Sequence, residues 1–194
     1  MPYNLKPTYI HREQPEYFDD ILPDSMAWQS DIYRLAGKLA RESEARFLVD
    51  IGCGQGDKLA QFGTEFALIG YDYGNNIAAC KAKYNSAVWL EHNLNEQPIE
   101  AGIFSHSVAI CADVIEHLTD PSALLETLRN AAQTANYVLV STPDRQRVHK
   151  KDHDGPPVNK YHVREWTLAE LQGWFEAEGL PVKDWRAKHK AESK

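Results

Sequence analysis

Apolar residues gather along this chain in short blocks. FLVDI (47–51), ALIGYD (67–72), AVWLE (87–91), SVAIC (107–111) and YVLVST (137–142) are strand-length and nearly continuous, the pattern of strands buried on both faces. Helical spacing fills the intervals. Trp28, Ile32, Leu35, Ala36 and Leu39 predict a first helix capped by Asp24 or Ser25, and shorter helices are expected over 58–62 and 75–84. Leu124, Leu125 and Leu128 mark the buried face of a helix capped by Thr119 or Asp120, with Pro121 at its first helical position. Thr167 and Glu170 stand at capping-box spacing ahead of Leu168, Leu171 and Phe175. Strands alternating with helices predict an α/β fold, a doubly wound, mostly parallel sheet with helices on both faces. Such sheets bind ligands beyond the carboxyl ends of their strands.

Residues 1–23 are polar and proline-dotted, an irregular lead into a single domain over 24–194. After Leu180 only PVKDWRAKHKAESK remains, enough for one strand and a polar tail. The C-terminal end of the sheet is therefore expected to be incomplete, as in a domain cut from a longer chain. An open edge of that kind favours a homodimer.

The 194 residues, 43% hydrophobic, suit one domain with a real core. A net charge of −7 disfavours nucleic acid and anionic membrane as partners. Neither a membrane-length apolar run nor a signal-peptide core is visible. Three cysteines without CxxC spacing, Cys53, Cys80 and Cys111, fit the reducing cytoplasm, the expected location. Cys53 and Cys111 are expected close together as small buried side chains.

The chemistry starts at VDIGCGQGDKL (49–59). A phosphate-binding loop requires GxxxxGK[ST], and here Leu59 follows Lys58. A dinucleotide fingerprint requires a third glycine where Asp57 stands. Asp50 and Asp57 flank the loop, and paired acids suit a cationic ligand without phosphate. Asp72 ends the second strand about twenty residues on, the place of an acid that accepts from ribose hydroxyls.

Asp50-x-Gly52-x-Gly54-x-Gly56, Asp72 and CADVIEHLTDP (111–121) together resemble the class I S-adenosylmethionine-dependent methyltransferases, of the small-molecule kind. The resemblance implies a Rossmann-like fold and S-adenosyl-L-methionine as cofactor. It assigns cofactor contacts to Asp50, Gly52, Cys53, Gly54, Gly56, Lys58, Asp72, Tyr73, Asn93, Leu94, Cys111, Ala112 and Asp113. Asn93 stands where many relatives have aspartate.

Methyl transfer also needs a group to receive the acceptor's proton. His117 and His162 are the catalytic candidates, His162 lying in DRQRVHKKDHDGPPVNKYHVREW (144–166), a long segment after the fifth strand. The GPP…N…HVREW part resembles methyltransferases of glycan and polyketide biosynthesis, which implies a small-molecule acceptor, a sugar or glycan-like oxygen. Arg145, Arg147 and Arg164 are available for an acidic acceptor. His149, Asp152, His153 and Asp154 are adjacent on a polar loop, and no metal is assigned to them or elsewhere. The rival function is a non-catalytic module that binds the cofactor and acts through a partner.

Overall fold

The computed structural model describes residues 2–21 and 29–186. Five strands form one all-parallel sheet: β1 (Phe47–Ile51), β2 (Ala67–Asp72), β3 (Ala87–Glu91), β4 (Ser107–Ala112) and β5 (Tyr137–Ser141), in spatial order β3-β2-β1-β4-β5. The strand blocks read from the sequence are these five, within a residue at their ends. β4 is buried at all six positions, as a strand with a strand on each side and a layer on each face must be.

Two apolar layers cover the sheet. Side chains alternate along each strand, so Val49, Ile51, Ala109 and Cys111 face one layer while Leu48, Val108, Ile110 and Ala112 face the other. The first layer is closed by α4 (Ser122–Thr134) and α6 (Leu168–Ala177), the second by α1 (Ser30–Glu42) and α3 (Gly74–Lys83). Two short helices complete the count among the described residues, α2 (Asp57–Ala60) and α5 (Arg145–His149).

Local chemistry accounts for most boundaries. Thr167 Oγ1 accepts from the Glu170 N–H while the Glu170 carboxylate accepts from the Thr167 N–H, closing the capping box at α6. The α6 face is carried by Trp174 and Phe175, with Leu168 and Leu171 only half-buried, because Trp174 stacks on Trp166 at 5.1 Å. α4 begins a residue later than expected. Pro121 is its cap, and the Asp120 carboxylate accepts from both the N–H and the hydroxyl of Ser122. α1 buries Tyr33, Ala36, Gly37 and Ala40; Asp24, Ser25 and Trp28 lie outside the described residues.

The cysteines are arranged differently from expectation. Cys53 lies with Cys80 in the α1–α3 layer, and Cys111 belongs to the opposite layer, so the Cys53–Cys111 approach is not made. The alternation along β4 decides this, since Cys111 falls on the α4–α6 face.

Gly70, inside β2, is pinned by packing. A Cβ there would run into the Trp89 indole, which also covers Gly56. Gly70→Ala should therefore cost about 1–3 kcal/mol of stability through overpacking. In a Trp89→Leu background the cost should shrink; urea unfolding of the two singles and the double would reveal strict additivity if the contact were not the cause.

Candidate active site

β1 is the central strand, and the chain turns left to β2 and later right to β4, so the switch point lies at its carboxyl end. Asp50 stands there, fully buried. Tyr33 of α1 donates its hydroxyl to Asp50 Oδ2 at 2.8 Å, while Oδ1 is buried with no hydrogen-bond partner among the described residues. Burial pushes the Asp50 pKa up to about 7, against the Tyr33 hydrogen bond and the charge of Lys58. An acid so placed is poised to receive a cation or an N–H donor.

The loop that follows is shaped by Gly52, Gly54 and Gly56, all at positive φ (79°, 56° and 79°). The N–H groups of Gly52 and Cys53 both reach the Tyr71 carbonyl, which folds the loop back over β2. Val114 lies against Gly52, the Asp20 carboxylate against Gly54 and Trp89 against Gly56, so none of the three has room for a Cβ. Lys58 is buried with its Nζ 3.6 Å from Asp20 Oδ2. Asp57 does not share in the cation site. Its carboxylate takes the Tyr84 hydroxyl at 2.5 Å and Lys83 at 3.4 Å.

Asp72 ends β2 and is joined to the loop, Oδ2 accepting from the Gly54 N–H and Oδ1 from the Tyr73 N–H, both at 2.8 Å. Burial raises its pKa to about 6 despite these hydrogen bonds. Oδ1 also accepts from Asn76 Nδ2 at 3.4 Å, so Oδ2 is the oxygen that keeps a lone pair for a further donor. Tyr73 is overlaid edge-on by Tyr17, whose hydroxyl reaches the Tyr73 carbonyl. Asn93 spends its amide on Glu96 and Asn95, and Leu94 is a core residue. Asp113, at φ 55°, accepts from the Ser141 hydroxyl at the end of β5. Ala112 shares the layer of Asp50, whereas Cys111 points into the other.

The two histidines meet at the same edge, ring centroids 4.8 Å apart. His117 Nδ1 lies 3.0 Å from the Tyr161 carbonyl, which fixes the proton on Nδ1 and the lone pair on Nε2. Burial, helped by His162, lowers the His117 pKa to about 4, so the ring is neutral near pH 7. His162 Nδ1 donates to Glu165 at 2.7 Å, and Asn159 Nδ2 lies 2.9 Å from Nε2. Burial opposes the Glu165 charge, but hydrogen bonds from His162 and His149 outweigh it and hold its pKa below the ordinary value.

The charged loop after β5 is mostly committed internally. Arg145 is buried and donates to the Glu165 carbonyl and the Glu170 carboxylate, while Arg164 donates to the carbonyls of Leu118 and Thr119. Arg147 lies 3.4 Å from Asp144. Asp152 and Asp154 both pair with Lys6, and His149 stacks on His153 at 4.1 Å.

Sequence reasoning left out the segment that covers this edge. Tyr17–Asp20 crosses from the glycine loop to the histidines: the Asp20 N–H donates to Asn76 Oδ1, and Phe18 packs on His117 and Tyr161 at 5.4 and 5.2 Å. Tyr33, Glu116 and Glu165 were also passed over, because their partners are remote in sequence or their charge looked solvated.

The fold is a doubly wound domain that brings the carboxylates of Asp50 and Asp72 to its switch point. Residues 24–183 match the family described as Methyltransferase domain, and the chain belongs to that family. It is 30% identical over 151 residues to a probable S-adenosylmethionine-dependent methyltransferase of Mycolicibacterium smegmatis, covering 76% of this chain and 56% of the relative, so it spans about half the length of that protein. Among solved structures, the plantazolicin methyltransferase BamL, in complex with a triazolic desmethylPZN analog and SAH, superposes with a TM-score of 0.57 at 13% identity, over 80% of this chain and 64% of that one. DesVI of Streptomyces venezuelae gives 0.54 at 17% identity, over 80% and 84%.

Asp50 has a stability signature that can be measured. Its pKa is raised on folding, so the stability linked to it is present at pH below about 4 and is lost as pH rises to about 7. Asp50→Asn should therefore unfold at a higher temperature than the parent at pH 8, by on the order of 2–4 kcal/mol at most, and show no such gain at pH 4. A variant less stable at pH 8 would mean the carboxylate is not held at a cost.

Proposed function

We propose that this chain binds S-adenosylmethionine along the Asp50–Asp72 edge and transfers its methyl group to an oxygen of a small neutral molecule, of the sugar or glycan-like class. The observation that carries the reading is the buried, half-satisfied Asp50 beside the glycine loop in a chain of this family. Asp50 offers an acceptor to a cationic or N–H-bearing group. Asp72 Oδ2 keeps a lone pair for one ribose hydroxyl, and Oδ1 would exchange its long contact with Asn76 for the other. Gly52, Gly54 and Gly56 let such a ligand lie close to backbone, and the remaining contacts fall to Cys53, Lys58, Tyr73, Asn93, Leu94, Cys111, Ala112 and Asp113. A neutral acceptor is favoured because Arg145 and Arg164 are spent on carbonyls within the fold.

When bound, the cofactor supplies an electrophilic methyl on a positively charged sulfur. Held there, it would give that methyl to the acceptor oxygen and keep the carbon–sulfur electron pair on sulfur. The methylated oxygen is then acidic enough to lose its proton to a weak base. His117 Nε2 fits that task, with Nδ1–H anchored on Tyr161, and passes the proton to water. His162, held by Glu165 and Asn159, positions the pair.

Asp72→Ala should abolish the thermal shift given by S-adenosylhomocysteine, a gain of about 2.7 kcal/mol at a hundred times Kd; a normal shift would displace the ribose from Asp72. With an acceptor in hand, His117→Ala should lower kcat roughly 10²-fold with cofactor affinity unchanged. Full turnover in that variant and in His162→Ala would remove the histidines from the reaction, and absence of turnover with any acceptor would favour a binding module.

β5 is an edge strand among the described residues, with Tyr137 44% exposed, and we propose that a second copy pairs along it. Light scattering at micromolar concentration should then give the dimer mass; a monomer rejects the pairing.

A further inference from the structure

We infer that Glu116, His117 and His162 form a binding site for one divalent transition-metal ion. Each contributes a donor atom, and the three donors lie within 4.8 Å of one another. Ligands around one metal at 2.0–2.2 Å stand roughly 3–3.5 Å apart, so closure by about an ångström or so brings all three onto a single ion.

Three features mark this as a built site. Glu116 is fully buried; Oε2 accepts from the Thr142 hydroxyl at 2.9 Å, while Oε1 is buried with no hydrogen-bond partner among the described residues. A carboxylate oxygen stripped of water and of donors is costly unless a cation meets it. Second, each imidazole donates Nδ1–H outward, His117 to the Tyr161 carbonyl and His162 to the Glu165 carboxylate, which leaves both Nε2 lone pairs as the metal-binding atoms. That outward hydrogen bond to a carbonyl or carboxylate is the support metal-ligating histidines generally have. Third, Phe18 packs over His117 at 5.4 Å and closes the group on one side.

Asn159 Nδ2, 2.9 Å from His162 Nε2, competes for one lone pair and would give way to the ion. Two imidazoles and one carboxylate suit manganese, iron, cobalt or zinc better than magnesium, and they leave coordination positions open. The site lies immediately after β4 and is covered by Phe18. Resting on the proposed reaction for this point alone, the open positions would hold an acceptor bearing two adjacent oxygens. Without the ion His117 Nε2 receives the acceptor's proton; with the ion bound that lone pair is taken, and the proton would leave to water.

The test uses the full chain, freed of metal with EDTA and dialysed, then titrated with cobalt(II) chloride alone. One equivalent should bind with visible d–d absorption, and Glu116→Gln and His117→Gln should each weaken binding at least tenfold, while His153→Gln binds as the parent does. Less than a tenth of an equivalent bound by the parent, or parent-like binding by Glu116→Gln, overturns the site, as does binding of magnesium without cobalt. Independently of any variant, the imidazole resonances of His117 and His162 should be shifted by cobalt(II) in the parent; unchanged resonances overturn it. The S-adenosylhomocysteine thermal shift on the same samples reports the cofactor reading separately, since either property can fail with the other intact.

Discussion

The structure depends on a carboxylate placed where the fold can least easily solvate it. Asp50 closes the central strand, beneath α1 and beside β4, with one hydrogen bond to Tyr33 and one oxygen left without a partner. Desolvating an ionised carboxylate costs several kcal/mol, and a single neutral hydroxyl does not repay it. The domain bears this cost at the switch point of its own sheet, where the strands diverge and a ligand can enter. On the proposed reading, the stability given up there would become differential affinity for a ligand that brings positive charge.

Around that acid the backbone is tied into one unit. Gly52 and Cys53 hold the end of β2 through the Tyr71 carbonyl, and Asp72 at that end holds Gly54 in return. A ligand touching either carboxylate therefore acts on both strands and the loop together. The polar N-terminal stretch joins the same unit. Arg12 bonds the loop before α6, Glu16 bonds Lys160, and Phe18 packs on His117. What reads in sequence as an irregular lead packs in the structure between the glycine loop and the histidine pair.

The fold was legible to the extent that burial on both faces leaves a mark. Five near-continuous apolar blocks became five parallel strands, and the Thr167–Glu170 box capped α6 as read. α5 was not legible, because five residues, basic and polar around a single valine and capped by Asp144, carry no period. Pro121 was placed one residue too far into its helix, since the Asp120 carboxylate, and not the proline ring, sets the turn. Within the site, the acids and glycines were legible because their spacing is local. The contacts made by Tyr33, Asp20 and Glu116 were not, because each joins segments whose proximity exists only once the sheet is assembled. The Glu116–His117–His162 grouping is the clearest case: two members adjacent in sequence, the third brought in by a loop that closes over β4 and β5. The adjacent His149, Asp152, His153 and Asp154 are the more visible grouping in the sequence, yet Lys6 pairs with both of these acids.

A cationic cofactor is proposed to relieve the buried Asp50 and the half-buried Asp72, whose pKa values are pushed up to about 7 and about 6. Calorimetric titration with S-adenosylmethionine at pH 6.5, repeated in buffers of different ionisation enthalpy, measures it directly. Binding that favours the ionised carboxylates must release protons, so the observed heat should vary with the buffer in the sense of net release, and affinity should rise between pH 5 and about 8. Heat independent of the buffer, or proton uptake on binding, would contradict the account.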